Sequence, residues 1–393
     1  MKPKIYTTDD HHIRHELIDP HALHVLQKLQ ESGFQAYLVG GGVRDLLMRK
    51  RPKDFDISTS AQPEEIKALF KRCLLIGRRF RLAHVRFGKQ VIEVATFRSG
   101  NIENENLITQ DNVWGSAEED ALRRDFTING LFYDPVDHKI IDYVGGFEDL
   151  KKHLLRVIGE PTLRFKQDPV RMLRMQKFRA RFGFHVEEQT LTALNLCLGE
   201  ITKSSSARIV EELFRMLESG YSAPFFKLVL ESGLLEKLFP ELSNYFKGPL
   251  GPAMFTYLEA ADQMNSKREL PLDRALLAAA LLYPILEAEI LSSSQKFSMG
   301  TVIDSTYALI HQVFLSQFSH FPRRIRAVAH FILQMQFRIT PPSHNKHVRK
   351  SITHHRGFPI ALVFLKLRAI VEPKLISKYE YWKGVIKENA QRN

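Results

Sequence analysis

Asp54, Phe55 and Asp56 are the three residues of this chain that most directly suggest chemistry. Read as the end of a strand, alternate residues share a face, so both carboxylates point one way and Phe55 points into a core. Two carboxylates about 7 Å apart on one face offer hard oxygen donors to a pair of Mg²⁺ ions, a metal that also binds phosphate oxygens. An isolated Asp-x-Asp is commonplace, and a solvated pair explains most of them. Upstream, Gly40–Gly41–Gly42 divides a strand from a helix and leaves the backbone bare enough to approach a phosphate. Arg44 opens that helix, whose amide end favours anions. Position 45 is Asp, which excludes a dinucleotide fingerprint, and no Gly-Lys-Ser/Thr follows, which excludes a P-loop. A phosphate-friendly turn just ahead of a paired-carboxylate strand is a rarer combination than either part alone.

The elements that must hold these residues follow from periodicity. Residues 35–39 read as a short buried strand, 43–48 as a helix, and 55–57 as a second strand. A helix is expected over 63–70 with Pro63 in its first turn, then strands over 82–87 and 91–97 about a turn at Gly88. Residues 99–115 read as a long polar loop. After Asp168 the apolar spacing turns to three and four, with breaks expected at Gly183, Gly220, Gly233, Pro240, Pro271, Pro284, Pro322 and Pro341. The expected fold is α+β: a mixed head of about 160 residues followed by an all-helical body.

Composition and charge narrow the class. Of 393 residues 44% are hydrophobic and 25% charged, which is globular composition and excludes collagen-like, disordered and disulfide-scaffold proteins. Cys73 and Cys197 cannot build a disulfide framework, so a reduced, cytoplasmic setting is expected. The first twenty residues carry no apolar run of the secretory type. The most apolar stretch, 275–286, covers about 18 Å as a helix and is expected to be core rather than a membrane span. The net charge of +12 is concentrated: residues 321–393 hold 15 Lys/Arg against 3 Asp/Glu, and the preceding 320 residues hold 41 of each sign. A basic end on a neutral body points to a polyanion, most often nucleic acid, against the plainer reading of a solvated helix face.

Three motifs in order carry a resemblance. Tyr37-Leu-Val-Gly-Gly-Gly-Val-Arg-Asp45, Lys53-Asp-Phe-Asp56 and Arg123-Arg-Asp-Phe-Thr-Ile-Asn129 resemble the class II tRNA nucleotidyltransferase and poly(A) polymerase family over roughly residues 36–240. The resemblance implies a polymerase-β-type nucleotidyltransferase head followed by helical neck, body and tail. It implies metal ligation by Asp54, Asp56 and Glu93, with two Mg²⁺ ions and ATP as substrate. It places Gly41, Gly42, Arg44, Arg124 and Asn129 at the nucleotide and Asp125 in the catalytic group, although Asp125 also reads as a helix-start carboxylate organising Arg123 and Arg124. Asp168-Pro-Val-Arg171-Met-Leu-Arg174 resembles the family's Glu-Asp-x-x-Arg element, whose Asp and Arg read the base edge in place of a template. Gln167 stands where the family has Glu, so base selectivity is in question. Asp168 before Pro169 also reads as a plain helix cap.

Within this family, two features point toward bacterial poly(A) polymerases. Leu75 to Val85 contains Arg78, Arg79 and Arg81 ahead of a His, and Arg323, Arg324, Arg326 and Arg338 make an arginine-rich C-terminal segment. All seven arginines are expected to meet RNA through phosphates. The expected activity is template-independent addition of AMP to RNA 3′ ends (mRNA, small RNA or decay intermediates), with CCA- or A-addition to tRNA as the alternative and a catalytically silent RNA-binding relative more remote. No membrane partner is expected. The expected divisions are an N-terminal arm (1–20), the head (21–165), a neck (166–250), a body (251–320) and a basic tail (321–393). His344, His347, His354 and His355 hint at a metal, but no Cys or clear carboxylate completes a set, which favours a polar loop.

Overall fold

The structure, a computed structural model, describes residues 2–77, 81–99, 113–268, 270–292, 297–316, 321–342 and 350–392. The chain divides into two compact units, Met1–Arg171 with Gly183–Cys197, and Met172–Phe182 with Leu198–Asn393. An N-terminal α+β head and a largely helical C-terminal region are the architecture expected from the sequence.

The head is built on an eight-stranded mixed sheet. Its strands are β1 (Lys4–Tyr6), β2 (Ala36–Val39), β3 (Asp56–Thr59), β4 (Cys73–Ile76), β5 (Leu82–Phe87), β6 (Gln90–Thr96), β7 (Leu131–Asp134) and β8 (Lys139–Asp142), in the order β1-β8-β7-β2-β3-β6-β5-β4. Period-two alternation assigns two faces. Leu38, Ile57, Val85, Ile92, Val94, Leu131, Tyr133 and Ile140 point into one core, which also takes Ala22, Val25, Leu26 and Leu29 of the Pro20–Glu31 helix. Tyr37, Val39, Phe132 and Ile141 belong to the opposite face, where Ala117 and Ala121 of the Ala117–Leu122 helix pack. That helix starts cleanly: the Ser116 hydroxyl accepts from the Glu119 amide while the Glu119 carboxylate takes the Ser116 amide. The carboxylates stand on this second face.

Two local expectations are corrected. The Asp54–Asp56 triplet lies at the beginning of β3, not at the end of a strand, and only Asp56 is in the ladder. The helix after β2 runs Gly41–Leu47, so Gly41 and Gly42 form its first turn, and Gly40 is its cap at φ 67°. Glycine tolerates that left-handed angle without the Cβ clash other residues suffer. The strands β1, β4, β7 and β8 had no reading in the sequence, and the loop expected over 99–115 lies mostly outside the described residues.

Gly183, in the first unit, and Gly220 and Gly233, in the helical one, take positive φ just beyond helices, as their spacing suggested. Pro284 corrects the reading: it lies inside the Arg274–Ser292 helix rather than ending it. Ala275 to Leu286 are all buried there, and that all-round packing outweighs the one ladder bond a proline gives up. The helix is apolar and long enough to cross a bilayer by composition, yet it is a core helix of this unit. Among its described residues the basic segment from Phe321 onward is folded as well. It contributes helices Arg323–Ile339, Phe358–Val371 and Ile376–Arg392, with Met335, Ile339, Phe358, Leu365 and Trp382 in one core.

Candidate active site

Three neighbouring strands bring the acids together. Val39 of β2 and Glu93 of β6 are the register partners of Asp56 on either side, and His84 of β5 faces Glu93. Asp56 and Glu93 therefore share a face at one level of the sheet. Asp54, Asp56 and Glu93 all reach solvent, and Phe55 is buried between the two aspartates. Asp56 keeps that access while lying deep against protein. Desolvation, reinforced by the negative charge of Glu93 and then Asp54, pushes its carboxyl up to about 6, with Arg124 acting in the opposite direction. His84 Nε2 lies 3.5 Å from Glu93 Oε1.

The glycines make room for this arrangement. A Cβ on Gly40 would lie 3.3 Å from an Arg124 guanidinium nitrogen and 3.9 Å from an Asp56 carboxylate oxygen. A Cβ on Gly42 would lie 3.4 Å from the Asp54 carbonyl and 3.7 Å from the Phe55 ring. The turn and the acidic segment thus approach across a gap that larger side chains would crowd.

The third motif supplies the opposite wall. Arg124 donates from Nη2 to Ser58 Oγ (3.1 Å) and to Asp120 Oδ2 (2.7 Å), and its guanidinium lies over the Phe132 ring at 5.3 Å. Arg44 is buried; it donates from Nε and Nη2 to Asp45 Oδ1 (3.0 and 2.7 Å) and from Nη1 to Asn129 Oδ1 (2.6 Å). Asn129 in turn donates to Asp125 Oδ1 at 3.0 Å, which also takes the Phe126 amide at 2.8 Å. Arg44, Asn129 and Asp125 therefore form a buried relay linking the glycine turn to the third motif, and Asp125 holds the Phe126 amide just ahead of the turn that carries Asn129.

Asp168 and Arg171 meet at the junction of two helices. Asp168 closes the Pro161–Gln167 helix, and its carboxylate is 3.8 Å from Arg171 Nε. Gln167 is buried and accepts from Arg164 Nη1 at 3.1 Å. Arg174 follows in the second unit, 3.4 Å from Glu212.

Of the arginines expected at RNA, Arg78 and Arg79 lie outside the described residues, as do His344 and His347. Arg81 is exposed and paired with Glu64. Arg323, Arg324 and Arg338 are exposed on one helix and Arg326 is half-buried there. His355 stacks on Phe331 with ring centroids 4.3 Å apart. Among the described residues no group of three or more His, Cys, Asp or Glu is gathered so as to hold a metal ion. Asp120, Ser58 and Arg164, which sequence reading passed over, all serve the site; only Asp120 gave a signal, its spacing of three and four from Arg123 and Arg124.

With the geometry set out, the relatives are informative. Residues 36–156 match the poly(A) polymerase head domain, and residues 183–246 match a region described as "Probable RNA and SrmB-binding site of polymerase A". Poly(A) polymerase I of Escherichia coli is 38% identical over 384 residues, covering 93% of this chain and 81% of that protein. The CCA-adding enzyme of Lactobacillus helveticus is 39% identical over 217 residues, covering 55% of this chain and 54% of that one. Among solved structures, the Bacillus stearothermophilus CCA-adding enzyme in complex with CTP has a TM-score of 0.64 at 25% identity, over 94% of this chain and 83% of that chain. The chain belongs to the nucleotidyltransferase superfamily of poly(A) polymerases and CCA-adding enzymes. Nucleotidyltransferase activity on RNA 3′ ends is the shared character of that family.

In chemistry, though not as a closed cluster, the acids suit the divalent metal that membership implies. Asp54, Asp56 and Glu93 offer only hard oxygen ligands, and the burial that chiefly raises the Asp56 carboxyl, with the negative charge of Glu93 and Asp54 added to it, is a cost that a bound cation would offset.

Proposed function

We propose that this protein adds AMP from ATP to RNA 3′ ends without a template. The supporting observation is that its poly(A) polymerase relatives match it through the arginine-bearing helices to 93% of its length, whereas the match to the Lactobacillus helveticus CCA-adding enzyme covers 55%. In the reaction the 3′-hydroxyl oxygen attacks the α-phosphorus of the nucleotide, a P–O bond forms, and pyrophosphate leaves with the electrons of the broken bond. Asp54, Asp56 and Glu93 would hold Mg²⁺, which supplies the charge that acidifies the hydroxyl and neutralises the leaving group. Arg124 faces the same opening and offers the N–H donors of its Nη1 to the phosphates. Asp168 and Arg171 are the proposed readers of the base edge, since a buried pair left without its partner discriminates strongly.

A second reading has its own support. Solved structures sharing the fold are CCA-adding enzymes, one complexed with tRNA and others with CTP or ATP, which favours CCA- or A-addition to tRNA at least as directly. One assay separates the two: full-length protein with Mg²⁺, an unstructured RNA or a tRNA lacking its last three nucleotides, and ATP, CTP or both. Long adenylate tracts on the unstructured RNA support the first reading. Incorporation that stops after completing the tRNA, with the unstructured RNA untouched, replaces it with the second.

A further inference from the structure

The Arg123–Arg124–Asp125 turn is held from two sides by residues that no motif singles out. From the side-chain side, Asp120 is fully buried, at 0% exposure. Its Oδ1 accepts from Arg123 Nε (2.9 Å) and its Oδ2 from Arg124 Nη2 (2.7 Å). A buried carboxylate is tolerated only when such charge-assisted bonds replace its water. Positions three and four ahead on a helix lie on one face, so a single acid can serve two successive arginines.

From the backbone side, the helix ends at Leu122; the Arg123 and Arg124 amides still donate to the Glu119 and Ala121 carbonyls, and the carbonyls of Arg123 and Arg124 lie beyond the last helical turn. Arg164, at 1% exposure, brings Nη2 within 2.6 Å of the Arg123 carbonyl and 2.9 Å of the Arg124 carbonyl, with Nη1 on Gln167. Arg171 Nη2 reaches the same Arg123 carbonyl at 3.2 Å. Between these supports Arg124 has little freedom. Nη2 is committed to Asp120 and Ser58, the plane rests on Phe132, and Nη1 is turned toward Gly40 and Asp56.

We propose that Asp120 is the positioning residue that aims the Arg124 guanidinium at the nucleotide phosphates beside Asp56, with Arg164 fixing the backbone beneath it. The proposal rests on the nucleotide-transfer reading of the site. A guanidinium already oriented loses less freedom on meeting a phosphate than a swinging one, so the aim of Arg124 is expressed as nucleotide affinity.

The test compares full-length wild type, Asp120→Asn, Arg124→Gln and the double variant, with Mg²⁺, an RNA primer, and ATP or CTP. Asp120→Asn keeps the shape but sets an amide NH₂ against one of the two arginines. It should raise the nucleotide KM about tenfold while kcat falls less and RNA affinity holds. The double variant should be no worse than Arg124→Gln alone, because one effect acts through the other. An unchanged nucleotide KM in folded Asp120→Asn, or losses that multiply in the double variant, overturns the proposal. Should Asp120→Asn fail to fold, Ser58→Ala removes the other anchor with little change of volume. It should raise KM a few fold, and a KM equal to wild type overturns the idea that the aim of Arg124 matters. Wild type inactive with both nucleotides would defeat the functional reading instead; calorimetric binding of ATP to the same variants would still report on the aim.

Discussion

Two buried arginines, Arg164 in the head and Arg368 in the helical unit, are held in opposite ways. The described donors of Arg164 go to neutral acceptors, carbonyls and the Gln167 amide; burial, with the like charge of Arg171 next, pulls its pKa down to about 9. Arg368 is enclosed by acids and aromatics. It lies 4.4 Å over the Tyr283 ring, 3.3 Å from Glu287 and 3.7 Å from Glu372, and donates to Thr340 Oγ1 at 2.7 Å. Tyr283 and Tyr257 donate to the same two glutamates, at 2.7 and 3.4 Å. The helical network closes on itself and ties several helices together. The head network stays open toward Asp56, with charge held for something else to meet. Compensation by adjacent acids in one unit and by neutral acceptors in the other sets a structural device apart from a candidate functional one.

The largest effect expected from breaking this contrast lies at the acids. Asp56→Ala should reduce nucleotide addition about a thousandfold or more, because several kcal/mol of metal-borne charge stabilisation depend on it. Asp56 reaches solvent and its carboxylate is partly desolvated among other negative charges, so the urea midpoint should not fall and RNA affinity should stay near wild type. Near-normal turnover with Mg²⁺ would remove Asp56 from the site.

Arg368→Met and Arg164→Met should then part company. The first strands Glu287 and Glu372 beside two tyrosines and should cost about 3 kcal/mol of stability, read from urea unfolding, with nucleotide KM unchanged. The second removes a charge that nearby carboxylates only partly offset, so its stability cost should be smaller and its main signature a raised nucleotide KM. Equal stability losses with equal kinetics would erase the distinction between the two networks.

What the sequence made legible follows the same division. Asp54 and Asp56 could be read from their short spacing and Glu93 only from the family resemblance; the structure puts Asp56 and Glu93 on one face of neighbouring strands. Arg44 and Asn129 were read as nucleotide contacts, and the structure places them in a buried relay; their types were visible but their partners, 85 residues apart, were not. Arg164 had no signal at all, since its acceptors lie about 40 residues upstream and exist only once a helix has ended there. In the helical unit Pro284 looked like a breaker because propensity was weighed without the packing around it. The basic segment drew attention through its charges, and the packing of Leu333 and Trp382 gives it a buried face as well.

A smaller effect concerns base choice. Arg171→Ala should lower the ratio of kcat/KM for ATP over CTP on one primer by roughly ten- to a hundredfold, the worth of one buried hydrogen bond of about 1–3 kcal/mol. Gln167→Glu should move that ratio only a few fold. The carboxylate would meet Arg164 first, and Arg164 reaches Arg171 through the shared Arg123 carbonyl. An unchanged ratio in Arg171→Ala would make Asp168 and Arg171 a cap and a scaffold, with the base read elsewhere.

The smallest effect tests whether the helical unit contains any open charge of its own. Deleting residues 321–393 cannot ask this, because it would strip Ile332, Leu333, Phe358 and Trp382, all buried, from the fold. Arg323 and Arg324 are exposed at the first turn of the Arg323–Ile339 helix and can be changed without touching that core. If they grip RNA through phosphates, removing each arginine lowers the slope of log K against log salt by about 0.7 for a single strand. Arg323→Ser with Arg324→Ser should therefore flatten the slope by about 1.4 while leaving the nucleotide KM alone. The measurement is the affinity for an unstructured RNA across a salt series, with the urea midpoint as a control on folding. A slope equal to wild type would assign these arginines to solvent, and the helical unit would then hold its charges for structure alone.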